Sequence, residues 1–219
     1  MESSFERMTN SLLFRIGEII WDLLLLSVLW LVFSIPVVTC GAATAALYFA
    51  VHRRFSLHNS TPAKDFIRSF KLNLKQGLVL NLIFLIYAAA VGFNIRVAVY
   101  GWGEITLPDW YLPVALLLLI PLLLSYPLTF PYLARFTSDT KHLLLNSTLM
   151  SVMNLGRTLL IWFYTILAVA AMIYFPPCAL IAPAGVSFLI MRSAEKTFKA
   201  ALDNEKNREK SEETEETDE

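Results

Sequence analysis

Residues 19–38 limit the possible folds of this chain most, because they hold a single charge, Asp22, before a break at Pro36 and Gly41. A helix over this run would be roughly 30 Å long, the thickness of the hydrocarbon core of a bilayer. Similar apolar runs cover residues 77–95, 110–133 and 158–175. The runs are continuous rather than alternating, which favours membrane-spanning helices over a barrel.

The charges are distributed unevenly, although the net charge is zero. Residues 200–219 hold nine acids and three bases, so residues 1–199 hold nine acids and fifteen bases. The bases concentrate in residues 52–76, in 135–157 and after residue 191, and basic loops stay in the cytosol. We therefore expect these segments and both termini to be cytosolic. The surplus of bases indicates which loops are cytosolic and does not indicate a nucleic-acid partner.

These patterns predict an all-α fold, a polytopic helical membrane bundle with about six membrane segments. Four segments are long, and two short hairpin arms cover residues 42–51 and 178–191, although 42–51 would also fit a re-entrant segment. Residues 1–18 form an interfacial N-terminal helix, retained because no cleavable signal peptide is evident. Residues 19–199 form the membrane domain. Residues 200–219 form an acidic tail, which we expect to be disordered because its composition offers no apolar face.

Two predicted hairpins resemble each other. A shift of 139 residues aligns Ala43, Ala45, Phe49 and Arg53 with Ala182, Ala184, Phe188 and Arg192, and a proline-containing turn precedes each arm. The pattern is that of a parallel repeat about an axis along the membrane normal. Four matches between apolar segments also arise by chance, so both interpretations stay open.

Residues 62–76 predict a cytosolic amphipathic helix. Lys64, Arg68, Lys71 and Lys75 recur at helical spacing and share one face, separate from an apolar face. Such a helix would lie on the inner leaflet, where it meets anionic lipid head groups or a protein partner, or serves only as an anchor.

Polar residues within the apolar runs are the other candidates. Asp22 lies near the predicted inner boundary, where it would either pair with a nearby arginine or handle a proton or substrate. Asn81 and Asn94 predict hydrogen bonds between helices. Several prolines predict a kinked or broken third long helix, beside which Ser125 and Tyr126 would face a cavity.

The sequence contains no recognisable catalytic, cofactor or metal motif. Cys40 and Cys178 are too few for a zinc site and indicate packing residues, although a bridge between them is conceivable. We therefore expect a protein that is not an enzyme and has no cofactor.

Residues 33–48, FSIPVVTCGAATAALY, resemble the signature of the YesL-like family of bacterial membrane proteins, whose function is unknown. Residues 65–77, DFIRSFKLNLKQG, resemble its second block, and Arg135 with Phe136 resembles a weaker third one. Cys40 and Ala42 depart mildly from the pattern. The resemblance covers roughly residues 10–200.

The resemblance implies a multi-pass protein of the bacterial plasma membrane, linked to carbohydrate ABC transporters by gene neighbourhood. Within its motifs, Pro36, Thr39 and Gly41 would belong to the hairpin tip, while Asn73 and Lys75 would lie where the surface helix meets the membrane. Two functions then compete: a non-enzymatic accessory subunit bound to ABC-transporter subunits, and a small transporter. A cavity lined by Asp22, Thr39, Thr44 or Asn81 would favour the transporter, and a dry closed bundle would favour the accessory subunit.

Overall fold

The structure is a computed structural model that describes residues 12–56, 61–101, 108, 110–136 and 138–217, with the side chains of residues 14–202 in those ranges. The described residues are helical and contain no strand, which confirms the predicted all-α class. Their eight α-helices are α1 Leu12–Ser34, α2 Cys40–Ser56, α3 Pro62–Tyr100, α4 Tyr111–Leu117, α5 Leu119–Arg135, α6 Thr140–Met153, α7 Leu155–Tyr174 and α8 Ala182–Thr217.

Four helical stretches in the described ranges are long and apolar enough to cross a membrane: Phe14–Ser34, Pro62–Tyr100, Tyr111–Arg135 and Leu155–Tyr174. Their outward side chains are large and apolar, and Leu159 on α7, for example, is 67% exposed. Water would disfavour such a surface, whereas lipid accepts it. The chain is therefore a membrane protein. Helix α2 has 17 residues, about 25 Å, so its full crossing stays a prediction.

The charged ends of the helices meet at one end of the bundle. Three ion pairs join different helices there: Asp22 with Arg54, Arg53 with Asp65, and Arg135 with Glu195. Helix α1 enters the bundle at this end and α8 leaves it there. The arrangement agrees with the basic segments sharing one side of the membrane, and the cytosolic identity of that side stays a prediction.

Helix α3 joins two segments that the sequence divides between a surface helix and a span. It runs for 39 residues without interruption, so the basic segment 62–76 continues the span of residues 77–95 instead of forming a separate helix. Pro62 in its first turn suits a helix start, since proline has no N–H to leave unpaired there. Helix α3 is about 58 Å long, nearly twice the thickness of the hydrocarbon core.

The third long span is broken, as predicted, but at Leu118, where α4 ends and α5 begins. Pro121 lacks an N–H and its ring crowds the carbonyl four residues earlier, which explains a break at this level. Pro127 and Pro131 instead lie inside α5. The carbonyl of Leu123, which Pro127 deprives of its helical donor, accepts the indole N–H of Trp162 at 2.8 Å.

The two ends of the chain differ from the expected outline. Residues 1–11 of the predicted N-terminal helix lie outside the described residues, and residues 12–18 belong to α1. Helix α8 continues to Thr217, although the composition of residues 200–219 predicts disorder. Composition predicts disorder for a segment that has too little apolar surface to bury. Glutamate, lysine and arginine nevertheless have good intrinsic helix propensity, which suits a continued helix.

The two predicted hairpins have the same order of elements: a long helix, a short 3-10 helix and a second helix. The 3-10 helices are Val37–Thr39 and Pro176–Leu180, and their first residues differ by the same 139 positions. Helices α2 and α8 run in the same direction, because Thr44 and Pro183 near their starts line one space while His52 and Glu195 pair further along. These features support the parallel repeat.

Candidate functional site

The tip of the first hairpin is held by side-chain hydrogen bonds to backbone carbonyls. The Thr39 hydroxyl lies 2.7 Å from the carbonyl oxygen of Phe33 and 2.8 Å from that of Pro36. Asn81 of α3 donates its amide N–H groups to the carbonyls of Val37, at 2.7 Å, and Val38, at 3.1 Å. Thr39 thus satisfies a carbonyl at the end of α1, and Asn81 satisfies two carbonyls of the 3-10 helix at the tip.

Gly41 and Gly77 lie where α2 crosses α3. A Cβ on Gly77 would stand 2.7 Å from Cα of Ala42, and one on Gly41 would stand 2.7 Å from the carbonyl oxygen of Gly77. Atoms at these distances overlap, so only glycine allows the two backbones to approach this closely. Small residues have this role in membrane helices. The motif residues Pro36, Thr39 and Gly41 therefore build a structural joint.

Asp22 pairs with Arg54 at the charged end of the bundle, and Glu18 lies 4.0 Å from the same guanidinium. The side chains of Asp22 and Arg54 are each about four-fifths buried. This contact confirms the interpretation that Asp22 pairs with a nearby arginine.

The basic face of α3 is free on its outer side. Lys64, Arg68, Lys71 and Lys75 are all exposed. No ion pair engages them among the described residues. The opposite face is fixed to the bundle, since Phe66 is fully buried and Phe70 lies edge-on to Phe33 of α1. Asn73 turns inward and donates to the Ser69 hydroxyl at 3.2 Å.

His52, Arg135 and Glu195 form a polar cluster that connects α2, α5 and α8. Nδ1 of His52 is 2.7 Å from a Glu195 carboxylate oxygen, and Arg135 donates to Nε2 at 3.0 Å. Because a guanidinium only donates, Nε2 accepts and the ring proton resides on Nδ1. Burial lowers the pKa of His52, Glu195 opposes that shift, and Arg135 adds to it. Sequence patterns do not reveal this cluster, because its three residues are far apart in the chain.

A cavity of about 300 Å³ lies between the two hairpins and α5. It is lined on α2 by Cys40, Thr44, Leu47 and Tyr48, and on α8 by Pro183, Val186, Ser187 and Ile190. Three of these residues on each helix are equivalent under the 139-residue shift: Thr44 and Pro183, Leu47 and Val186, Tyr48 and Ser187. The cavity therefore occupies the interface between the two repeats, where substrate sites of repeat-built transporters lie.

Aromatic rings form much of the cavity wall. Tyr126 stacks on Trp162 at 5.9 Å between ring centroids and meets Phe130 edge-on at 5.4 Å. Trp30 of α1 donates its indole N–H to the Thr44 hydroxyl at 3.1 Å. The indole N–H groups of Trp30 and Trp162 are therefore both paired within the protein.

The predicted site residues separate in space. Thr44 and Tyr126 line the cavity, whereas Asp22, Thr39 and Asn81 do not. Ser125, expected in a cavity beside Tyr126, instead lies 2.8 Å from the Thr148 hydroxyl of α6. Asn94 forms its expected bond between helices, to the Tyr111 hydroxyl at 3.0 Å.

Cys40 and Cys178 are both free thiols, each half-buried. In the described ranges no three side chains of His, Cys, Asp or Glu are placed to hold a metal ion together. The chemistry available in the cavity is thus that of hydroxyl, thiol and aromatic groups.

Comparison with known protein families places part of the chain in one of them. Residues 23–95 match a family described as "Protein of unknown function, DUF624". The match spans the second half of α1, the hairpin tip, α2 and most of α3, and so contains the Gly41–Gly77 crossing. No curated protein and no solved structure matches the chain.

Proposed function

We propose that this chain is a YesL-like, non-enzymatic accessory subunit of a carbohydrate ABC importer in a bacterial plasma membrane. The family part of the proposal is supported by the match of residues 23–95 and by the two sequence blocks at 33–48 and 65–77. The importer is the partner that the resemblance implies.

The observation that carries an accessory role is the free basic face of α3. Four cationic side chains form one row on a helix whose other side is fixed to the bundle by Phe66 and Phe70. A row held this way loses little conformational freedom on binding, which favours recognition of an acidic surface. Lys64 and Lys75 are eleven residues apart, about 16 Å along the helix, a suitable length for contact with one partner subunit.

Charge reversal tests this role. Replacing Lys64, Arg68, Lys71 and Lys75 together by glutamate should reduce recovery of the ABC-transporter subunits at least tenfold, when the tagged chain is purified in mild detergent from membranes of cells grown on complex glycans. The matched control reverses four other exposed bases with the same total change of charge: Lys141, Arg192, Lys196 and Lys199. Quantitative mass spectrometry compares the two variants with the parent chain.

The outcomes separate the possible partners. Equal recovery from both variants, or recovery of the chain alone from the parent, contradicts the accessory role. Unchanged recovery combined with weaker binding of the α3 variant to vesicles containing phosphatidylglycerol assigns the basic face to anionic lipid head groups instead.

A small transporter is the second candidate, and the cavity between the matched hairpins favours it. Thr44 lines this cavity, and it is one of the residues whose presence in a cavity wall would favour transport. Reconstituted vesicles loaded with buffer would take up labelled sugar if the chain transported it alone. Asp22→Asn serves as the control, because Asp22 lies outside the cavity.

A further inference from the structure

The cavity between the hairpins has polar groups that the protein itself leaves unused. Among the described residues, the hydroxyls of Tyr48 and Tyr126 have no hydrogen-bond partner, although Tyr48 is only 8% exposed. Neither oxygen is closed off by protein atoms, so both are open to the cavity. A hydroxyl without a partner in apolar surroundings costs free energy, and native structures nearly always satisfy such groups. Both residues line the cavity, which makes its contents the available partner.

Two further hydroxyls offer acceptors. Thr165 donates its proton to the carbonyl of Ile161 at 2.9 Å, and Ser187 donates to that of Pro183 at 2.6 Å. Each hydroxyl proton is therefore engaged within its own helix, while the oxygen lone pairs remain for another donor. The lining thus combines two phenols that donate or accept with two oxygens that only accept.

The rest of the lining restricts the ligand to an uncharged molecule. No Asp, Glu, Lys, Arg or His is among the described residues that line the cavity. An ion without a counter-charge would be strongly disfavoured at this position in a membrane. The walls are mainly aliphatic and aromatic, and ring faces such as that of Trp162 favour apolar or planar groups.

We infer that this cavity is a binding site for an uncharged, mainly hydrocarbon molecule that carries a hydroxyl group. The ligand hydroxyl accepts from the phenol of Tyr48, the more enclosed of the two, and donates to Thr165 or Ser187. Its apolar body packs against Trp30, Phe130 and Trp162. The volume of about 300 Å³ is near the lower limit of small-molecule sites. This site is independent of the basic face and of the proposed importer partner.

Photoaffinity labelling tests the inference on the full chain in lipid nanodiscs. The probe is a ten-carbon alcohol with a diazirine in its chain, and mass spectrometry locates the labelled peptides. We expect saturable labelling of the segments around Thr44, Tyr126 and Ser187, prevented by excess unlabelled decanol. The corresponding diazirine alkane, which lacks the hydroxyl, should label these segments about fivefold less, because it forms no hydrogen bond.

Two variants locate the interaction. Tyr48→Phe keeps the ring and removes the hydroxyl, so it should weaken labelling of the cavity about fivefold without altering the fold. The matched control is Tyr174→Phe, whose side chain is exposed outside the cavity and should have no effect. Ala168→Trp places a large ring in the cavity and should abolish labelling there.

Three results would overturn the inference: labelling confined to outward residues of α7 such as Ile166 and Ile173, equal labelling by alcohol and alkane, or equal labelling of the Tyr48→Phe variant. The four-residue charge reversal on α3 should bind the probe normally. Failure of the importer proposal therefore leaves this site testable, and failure of this site leaves the importer proposal untouched.

Discussion

Helix α2 packs differently on its two sides. Toward α3 it presents Gly41 and Ala42, and the backbones meet so closely that a single methyl group on Gly77 would overlap Ala42. Toward α5, α7 and α8 it presents Thr44 and Tyr48, and the same helix borders a cavity of about 300 Å³. One helix is therefore tightly packed around Gly41, where Phe130 of α5 also lies close, and borders an open space at Thr44 and Tyr48.

Residue size and shape explain this contrast. Glycine and alanine let two helix backbones approach closely. In lipid, where no hydrophobic driving force brings helices together, such close packing stabilises their association. The cavity is bordered instead by bulky groups, Pro127 and Pro131 of α5 and the stacked rings of Tyr126 and Trp162. The dense side fixes α2, and the open side leaves room for a ligand.

The largest effect should come from Gly77→Ala. Its added methyl would lie 2.7 Å from a backbone atom of α2, so the helices must separate, and overpacking of this kind costs about 3 kcal/mol. The free energy of unfolding by SDS in mixed micelles measures the loss. Gly92→Ala is the control, because it has open space around its Cβ and should gain up to about 1 kcal/mol from helix propensity. Equal effects of the two changes would contradict a tight crossing.

Trp162→Phe should have the next largest effect. It leaves a ring in place but removes the N–H that satisfies the Leu123 carbonyl beside Pro127. In a bilayer no water replaces this donor, so the unpaired carbonyl costs about 1–3 kcal/mol. The same unfolding measurement applies, with Trp21→Phe as the control, since Trp21 is 64% exposed. A loss no greater than that of the control would mean that the carbonyl finds another donor.

Ala168→Leu should change stability little, by less than about 1 kcal/mol, because the added carbons enter a cavity that already exists. Its counterpart is Ala46→Leu, which places the same carbons in a fully buried, packed cluster and should cost more than about 1 kcal/mol. Comparable losses in SDS unfolding would show that the two sides of α2 are packed alike.

The smallest effect should be a dependence on pH through His52. Because its pKa is lowered in the folded chain, mainly by burial, the unfolded chain binds this proton more readily. The free energy of unfolding should then fall as the pH drops below 6.5, the ordinary value for histidine. His52→Gln should flatten that slope, whereas His142→Gln, at an exposed position on α6, should not. An unchanged slope in the His52 variant would refute this account.

Much of the fold is predictable from the sequence, because the lengths of the apolar runs and the positions of the charges indicate the helices. Long apolar runs indicate the candidate membrane spans. The bases in residues 52–76 and at residue 135 indicate which helix ends meet at the charged end of the bundle. The hydrogen bonds from Asn81 to the hairpin tip and the ion pair of Asp22 can also be predicted, since polar groups in lipid require partners. The break in the third span is foreseeable from its prolines, although its position at Leu118 is not.

The cavity and the polar cluster are not predictable from the sequence. In the sequence, Tyr48 resembles the other apolar positions of α2. That its hydroxyl faces a cavity is evident only from the packing of α5, α7 and α8. His52, Arg135 and Glu195 meet through tertiary packing alone, so no spacing along the chain reveals them. Continuity of α3 is equally hidden, because a change from basic to apolar composition resembles a boundary even where the backbone continues.

The uninterrupted α3 also has a mechanical consequence. Its crossing with α2 at Gly77 fixes it about 23 Å from the Pro62 end and about 35 Å from the Tyr100 end. Each arm has a further tie to the bundle, Asp65 with Arg53 on the shorter arm and Asn94 with Tyr111 on the longer one. The helix is therefore braced at three levels, so a load on its basic end is carried by the whole bundle.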